Sequence, residues 1–176
     1  MMNKELITSK IDNTLKIEFS LKNVNMNLHT LIDRSIIDII YSVHKGDIIQ
    51  CYNLDNYDDI QKLKVVFTHL FKDIGMPHLF FNMDILKKTQ DNNIIFNCCK
   101  NDDTTSIDTV ELSNFSCIAP IDTINVECNF NDIHTCKCTI FLTHEKDHPL
   151  TRFEPMMMNI FKKMFKKVKT FIEMSQ

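Results

Sequence analysis

Four of the five residues from 144 to 148 carry acid, base or ligand chemistry: His144, Glu145, Asp147 and His148, in the string HEKDHPL. Two imidazoles and two carboxylates so close together can move protons or hold a metal ion. The same string is also an ordinary solvated turn before a helix. Pro149 then acts as breaker, and Thr151 or Pro155 stands near the helix start. We read it as the turn, and His144, Asp147 and His148 as the one cluster an enzyme could use.

Sulfur is the second chemistry. The 7 cysteines stand at 51, 98, 99, 117, 128, 136 and 138. His134, Cys136 and Cys138 lie close in sequence, and Cys98-Cys99 could approach them in space. Structural zinc normally uses two pairs of ligands, each pair a few residues apart. Adjacent Cys98 and Cys99 do not both reach one ion. Cys136 and Cys138 share one face of a strand and make half a site. No metal is expected, and the cysteines read as small buried residues. The 2 glycines, Gly46 and Gly75, cannot build a phosphate loop. There is no nucleophile elbow and no H-E-x-x-H. We therefore expect no catalytic residue and no cofactor.

Asp33-Arg34 is a further polar pair. Asp38, four residues after Arg34, can support it at the surface. Alternatively Arg34 reaches a neighbouring subunit with its donor fork. Both readings stay open at this point.

The elements that would position these groups come from a chain of 176 residues, 44% hydrophobic and 24% charged. That is globular, and one domain or one domain with an insert. A net charge of -3 gives no global pull toward nucleic acid or membrane. No apolar run reaches the roughly 18 residues of a membrane span. The opening MMNKELITSKIDN lacks the apolar core of a secretion signal. With an odd number of cysteines, this points to a reducing compartment, cytoplasm or nucleus.

Residues 14–24 alternate through Leu15, Ile17, Phe19 and Leu21, which predicts a strand with one buried face. Asn25 or Asn27 caps a helix whose apolar face is Leu28, Leu31, Ile32, Ile36, Ile39, Ile40 and Val43. It ends at His44-Lys45-Gly46. DIIQCYNL is a short strand, Asp55 to Asp59 a polar turn, and Ile60 to Ile74 a helix stopped by Gly75 and Pro77. HLFFNMDIL and IIFNCC read as strands, TVELSNF as a short strand or turn, NDDTTS as loop, and Ala119-Pro120 as a break. INVECNF and CKCTIFLTH are strands around the turn NDIHT.

The last helix runs from Phe153 to Met174. Phe153, Met157, Ile160, Phe161, Met164, Phe165, Val168, Phe171 and Ile172 form a wide apolar stripe, opposite Lys162, Lys163, Lys166, Lys167 and Lys169. So wide a stripe suits a helix that also packs on a partner, although it could dock wholly on its own sheet.

The expected class is α+β: an antiparallel sheet covered by an N-terminal helix and a long C-terminal helix, with a mixed, strand-rich insert. Residues 1–48 and 136–176 would form a discontinuous dimerisation-type domain, and 49–135 an inserted subdomain. A helix-grip fold is the architectural alternative.

The segment IEFSLKNVNMNLHTLIDRSIIDIIYSV resembles the start of RNA polymerase assembly subunits, the bacterial alpha N-terminal domain and its eukaryotic third-largest-subunit relatives. Leu21, Asn23, Val24 and Arg34 carry the likeness, and Asp33-Arg34 stands where that family has paired arginines. FTHLFKDIGMPHL, FNCCKNDDTTSIDTVELSNFSCIAPI and the final strand and helix follow in family order. The resemblance implies a non-catalytic scaffold subunit of a DNA-directed RNA polymerase, of a divergent, viral type. A second small subunit would pack on Leu28, Leu31, Ile32, Met157, Phe161, Met164, Phe165 and Val168. Two large subunits would dock at Arg34, with no direct sequence-specific contact to nucleic acid. The alternatives are a viral interaction module that binds a host protein, a helix-grip domain with a Met- and Phe-lined pocket, and a nucleic-acid binder resting on the lysine face.

Overall fold

The computed structural model describes residues 6–57, 59–102 and 116–175. Strands β1 (Ile7–Ile11) and β2 (Thr14–Lys22) open the chain, followed by helix α1 (Leu28–His44). Then come β3 (Ile49–Tyr57), β4 (Ile60–Phe67), β5 (His78–Gln90), β6 (Asn93–Lys100), β7 (Ser116–Ile118), β8 (Ile121–Asp132) and β9 (Thr135–His144). Helix α2 (Glu154–Met174) closes it, entered through a 3₁₀ turn at Pro149–Phe153.

The strands form one nine-stranded sheet in the order β1-β2-β9-β8-β6-β5-β4-β3. All neighbours along this path are antiparallel, and β7 adds a short parallel pairing to β5. The expected α+β arrangement is therefore present. An antiparallel sheet is wrapped by an N-terminal helix and a long C-terminal one, in the helix-grip manner. The strands from 49–135 continue the sheet begun by β2 and β9.

Alternation decides which face is covered. Leu15, Ile17, Phe19 and Leu21 of β2 are all buried, as are Cys136, Cys138, Ile140 and Leu142 of β9. Across that face lies α2, with Met157, Met158, Ile160, Phe161, Met164, Val168 and Ile172 buried. Phe165 meets Phe19 with ring centroids 6.5 Å apart. The stripe that invited a partner is thus spent largely on the chain's own sheet; Phe171 and Met174 at its end stay exposed.

Helix α1 starts at Asn27, whose side chain accepts from the Thr30 amide at 3.1 Å. Its end carries Gly46 at φ +83, a left-handed turn that suits glycine. Asn23 ties the end of α2 to the turn that follows β2. Its buried amide donates to the Ile172 carbonyl at 2.6 Å, and its Oδ1 accepts from the amides of Asn25 and Met26 at 2.9 and 3.1 Å.

Two expectations fail in the middle. Ile60 to Ile74 is not a helix: it is β4, then a 3₁₀ turn at Lys72–Ile74. The apolar spacing of LKVVF fits either period, and the ladder to β3 on one side and β5 on the other selects the strand. Asp55 to Asp59 is not all turn, because β3 pairs through Tyr57 with Ile60. The segment TVELSNF, expected as a short strand or turn, and most of the loop NDDTTS lie outside the described residues.

Candidate ligand-binding cavity

Between the sheet and the two helices lies a cavity of about 160 Å³. Every large element contributes to its wall: Phe19 from β2, Ile37 and Ile40 from α1, Leu63 from β4, Met83 from β5, Phe96 from β6, Val126 from β8, Ile140 from β9, and Met164 and Phe165 from α2. The residues are there because period-two alternation on the strands and a three-to-four spacing on the helices point them to one side. Among the described residues no carboxylate, imidazole or amine belongs to the lining. Its polar points are the rings of Tyr41 and Tyr52 and the thiols of Cys98, Cys128 and Cys138.

The tyrosines fasten α1 to β3. Their rings sit 4.4 Å apart between centroids. The Tyr52 hydroxyl donates to the Asp38 carboxylate. That bond, with burial, holds the Tyr52 pKa up at about 12. Asp38 is therefore engaged by Tyr52 rather than by Arg34, which lies exposed on α1. Asp33 faces β5, where it pairs with Lys87 at 3.1 Å and accepts from the Thr89 hydroxyl at 3.0 Å. At the far end His44 is buried, with Nε2 3.0 Å from the Met164 carbonyl oxygen of α2. Burial lowers its pKa, so the neutral ring is favoured.

The nine residues proposed from sequence fall in three places. Leu28, Ile32, Met157, Phe161, Met164 and Val168 are buried. Leu31 and Phe165 are half-buried against the same core, and Arg34 is exposed. Ile32, Phe161, Met164, Phe165 and Val168 line the cavity, whereas Leu28, Leu31 and Met157 do not. Reasoning from sequence missed the contributions of β4, β5 and β6, because the residues that meet at one cavity come from strands far apart in the chain. The alternation of Phe81, Met83 and Ile85 was the available signal.

The 144–148 cluster is brought together as structure, not as an acid–base set. His144 is buried, with Nε2 3.2 Å from the Met158 sulfur. Glu145 accepts from Lys100 at 2.7 Å. His148 caps the 3₁₀ turn, its Nδ1 accepting from the Leu150 amide at 3.1 Å. Of the lysines on α2, Lys167 pairs with Asp47 at 2.8 Å, and Lys169 donates to the Ser20 carbonyl at 2.7 Å. No helix among the described residues is long and apolar enough to cross a membrane.

The sequence matches no protein-family model and no curated protein. Solved structures do share its architecture. The human StarD13 (DLC2) lipid transfer and protein localization domain superposes with a TM-score of 0.64 at 10% identity, over 97% of this chain and 90% of that one. Human STARD10 gives 0.63 at 10% identity, over 93% of this chain and 72% of that one. A STAR-related lipid transfer protein fragment from Xanthomonas axonopodis gives 0.63 at 8%, over 95% and 92%. At such identities the likeness establishes the fold.

These neighbours overturn the polymerase reading. Several of the similar structures are named for lipid transfer and none of those compared is named as a polymerase subunit, so a second small subunit and two large ones are no longer called for. The phrase that carried the resemblance has a local explanation. Leu21 is core, Asn23 is the clasp between β2 and α2, and Val24 and Arg34 are exposed. A strand, a buried asparagine and an amphipathic helix make a similar string in unrelated folds. The chain shares the antiparallel sheet wrapped by an N-terminal helix and a long C-terminal helix that those domains display.

Proposed function

We propose that the chain binds a single apolar, lipid-like molecule in this cavity and holds it without changing it chemically. The observation that carries the reading is the lining: mostly hydrocarbon, with two tyrosines and three thiols as its polar points and no charged group among the described residues. Such a wall stabilises apolar surface at about 25 cal/mol per Å² and opposes a buried charge by several kcal/mol. It therefore selects an uncharged body, or the hydrocarbon tail of a molecule whose polar end stays outside. A volume near 160 Å³ suits one small ring or a stretch of one chain. Longer ligands require movement of a wall, and α1 is the wall with the least burial along its middle.

The neighbouring folds support this reading, since they are named for lipid transfer. Among the described residues the wall carries no carboxylate, imidazole or amine to move a proton on a bound molecule. The seven free cysteines suit a reducing compartment, cytoplasm or nucleus. Native mass spectrometry of the purified protein, followed by extraction into organic solvent, tests the proposal. A mass excess that departs with the solvent, as one apolar molecule per chain, is expected. A bare chain that also takes up no added apolar compound would sink it.

A further inference from the structure

Three thiols converge on the sheet where β8 meets β9. Cys128 and Cys138 are direct cross-strand partners, and Cys136 stands two residues from Cys138 on the same face. The Cys128 and Cys138 sulfurs lie 3.8 Å apart, and those of Cys136 and Cys138 also 3.8 Å. All three sulfurs fall within 4.8 Å of one another, and all three residues are buried.

The convergence depends on a bulge. The hairpin turn pairs Asp132 with Thr135, and regular counting back from there would set Cys128 opposite Thr139. The register slips between Phe130 and Asp132, so Phe130 pairs with Cys136 and Cys128 with Cys138. One residue of slip moves a side chain to the other face. Without it Cys128 would face away from Cys136 and Cys138.

We propose that Cys128, Cys136 and Cys138 form a three-sulfur site for one Cu(I) ion. Metal–thiolate bonds of about 2.3 Å place three sulfurs about 4 Å apart around a trigonal ion, close to the spacing already present. Soft thiolates select a soft ion. Zinc prefers a fourth ligand, commonly water in an open site, but the space beside Cys128 and Cys138 is the apolar cavity, and no fourth His, Cys, Asp or Glu joins the group among the described residues. Three-coordinate Cu(I) needs none. Each thiol loses its proton to solvent as its Cu–S bond forms, and the bound cation offsets negative charge that the wall would otherwise oppose. The site lies at the cavity wall, yet stands or falls apart from the apolar ligand.

The test uses the whole chain, reduced and free of oxygen. Cu(I) is supplied as its acetonitrile complex in competition with bicinchoninate, and X-ray absorption is recorded on the loaded protein. Expected are one ion per chain and three sulfur neighbours at about 2.3 Å. Cys128→Ala or Cys138→Ala should weaken binding more than about 10-fold, since loss of even an outer partner of a metal ligand costs that much. Cys51→Ala and Cys117→Ala should leave it unchanged. Because a buried alanine can disturb folding, the sulfur count on the unaltered protein is an independent criterion. Fewer than three sulfurs, no retention against the chelator, or equal uptake by Cys128→Ala would overturn the site.

Discussion

Helix α2 buries seven side chains along its length, from Met157 to Ile172, whereas α1 buries Leu28 and Ile32 near its start and His44 at its end. Between those anchors Ile36, Ile37, Ile39, Ile40 and Tyr41 are only half-buried. Both helices are amphipathic, and both line the cavity. The difference is what they face: α2 is set into side chains of the sheet, and the middle of α1 faces unfilled space. A wall with few packed neighbours opens at lower cost than the fold as a whole. We therefore read α2 as the fixed wall and α1 as the yielding one.

The comparison breaks first at Phe161. Phe161→Ala in α2 should cost about 3–5 kcal/mol, and Ile37→Ala in the middle of α1 about 1 kcal/mol. Urea denaturation midpoints measure both; equal losses would remove the distinction between the helices. Next comes the clasp. Asn23→Ala strips the Ile172 carbonyl of its buried donor and should cost about 1–3 kcal/mol. A change within error would mean water takes the place of the amide at no cost.

Smaller effects sharpen the picture at α1. Tyr52→Phe removes the bond to Asp38 at the surface of the α1–β3 seam. Stability should fall by about 0.5 kcal/mol, while exchange of a bound apolar probe quickens. Stopped-flow displacement reads the exchange, and an unaltered rate would place the opening elsewhere.

The last effect is pH. His44 and His144 both have lowered pKa values in the fold, chiefly from burial. The unfolded chain therefore binds more protons below the ordinary value of 6.5. Stability is full above that value and is lost as pH falls through and below it. Melting temperatures between about pH 7.5 and about pH 5.5 should decline, and His44→Gln should flatten the decline. A flat profile in the unaltered chain would contradict the buried, neutral rings.

The same two helices show what a sequence makes legible. Both were plain from periodicity, as were β2, β8 and β9, because each carries a local pattern with one buried side. Strand β4 was not, since LKVVF satisfies two periods and only pairing with β3 and β5 decides between them. The polymerase likeness came from local strings around Asn23 and Arg34, which encode a strand-to-helix joint and not a partner. The helix-grip alternative already pointed to Met and Phe around a pocket. Cys128 stayed apart from Cys136 and Cys138 because a bulge sets the register, and no residue pattern at Phe130–Asp132 announces it. Cavities and cross-strand clusters are properties of register, which the chain writes only through long-range pairing.

The most direct measurement is a titration of the full chain with an uncharged fluorescent apolar probe, beside a variant with the cavity filled, Val126→Phe. The account predicts saturable binding of one probe per chain, weakened at least about 10-fold in the variant, whose melting temperature is kept because the added ring occupies existing space. Equal binding by both proteins, or none by either, would contradict an apolar ligand between α1, α2 and the sheet.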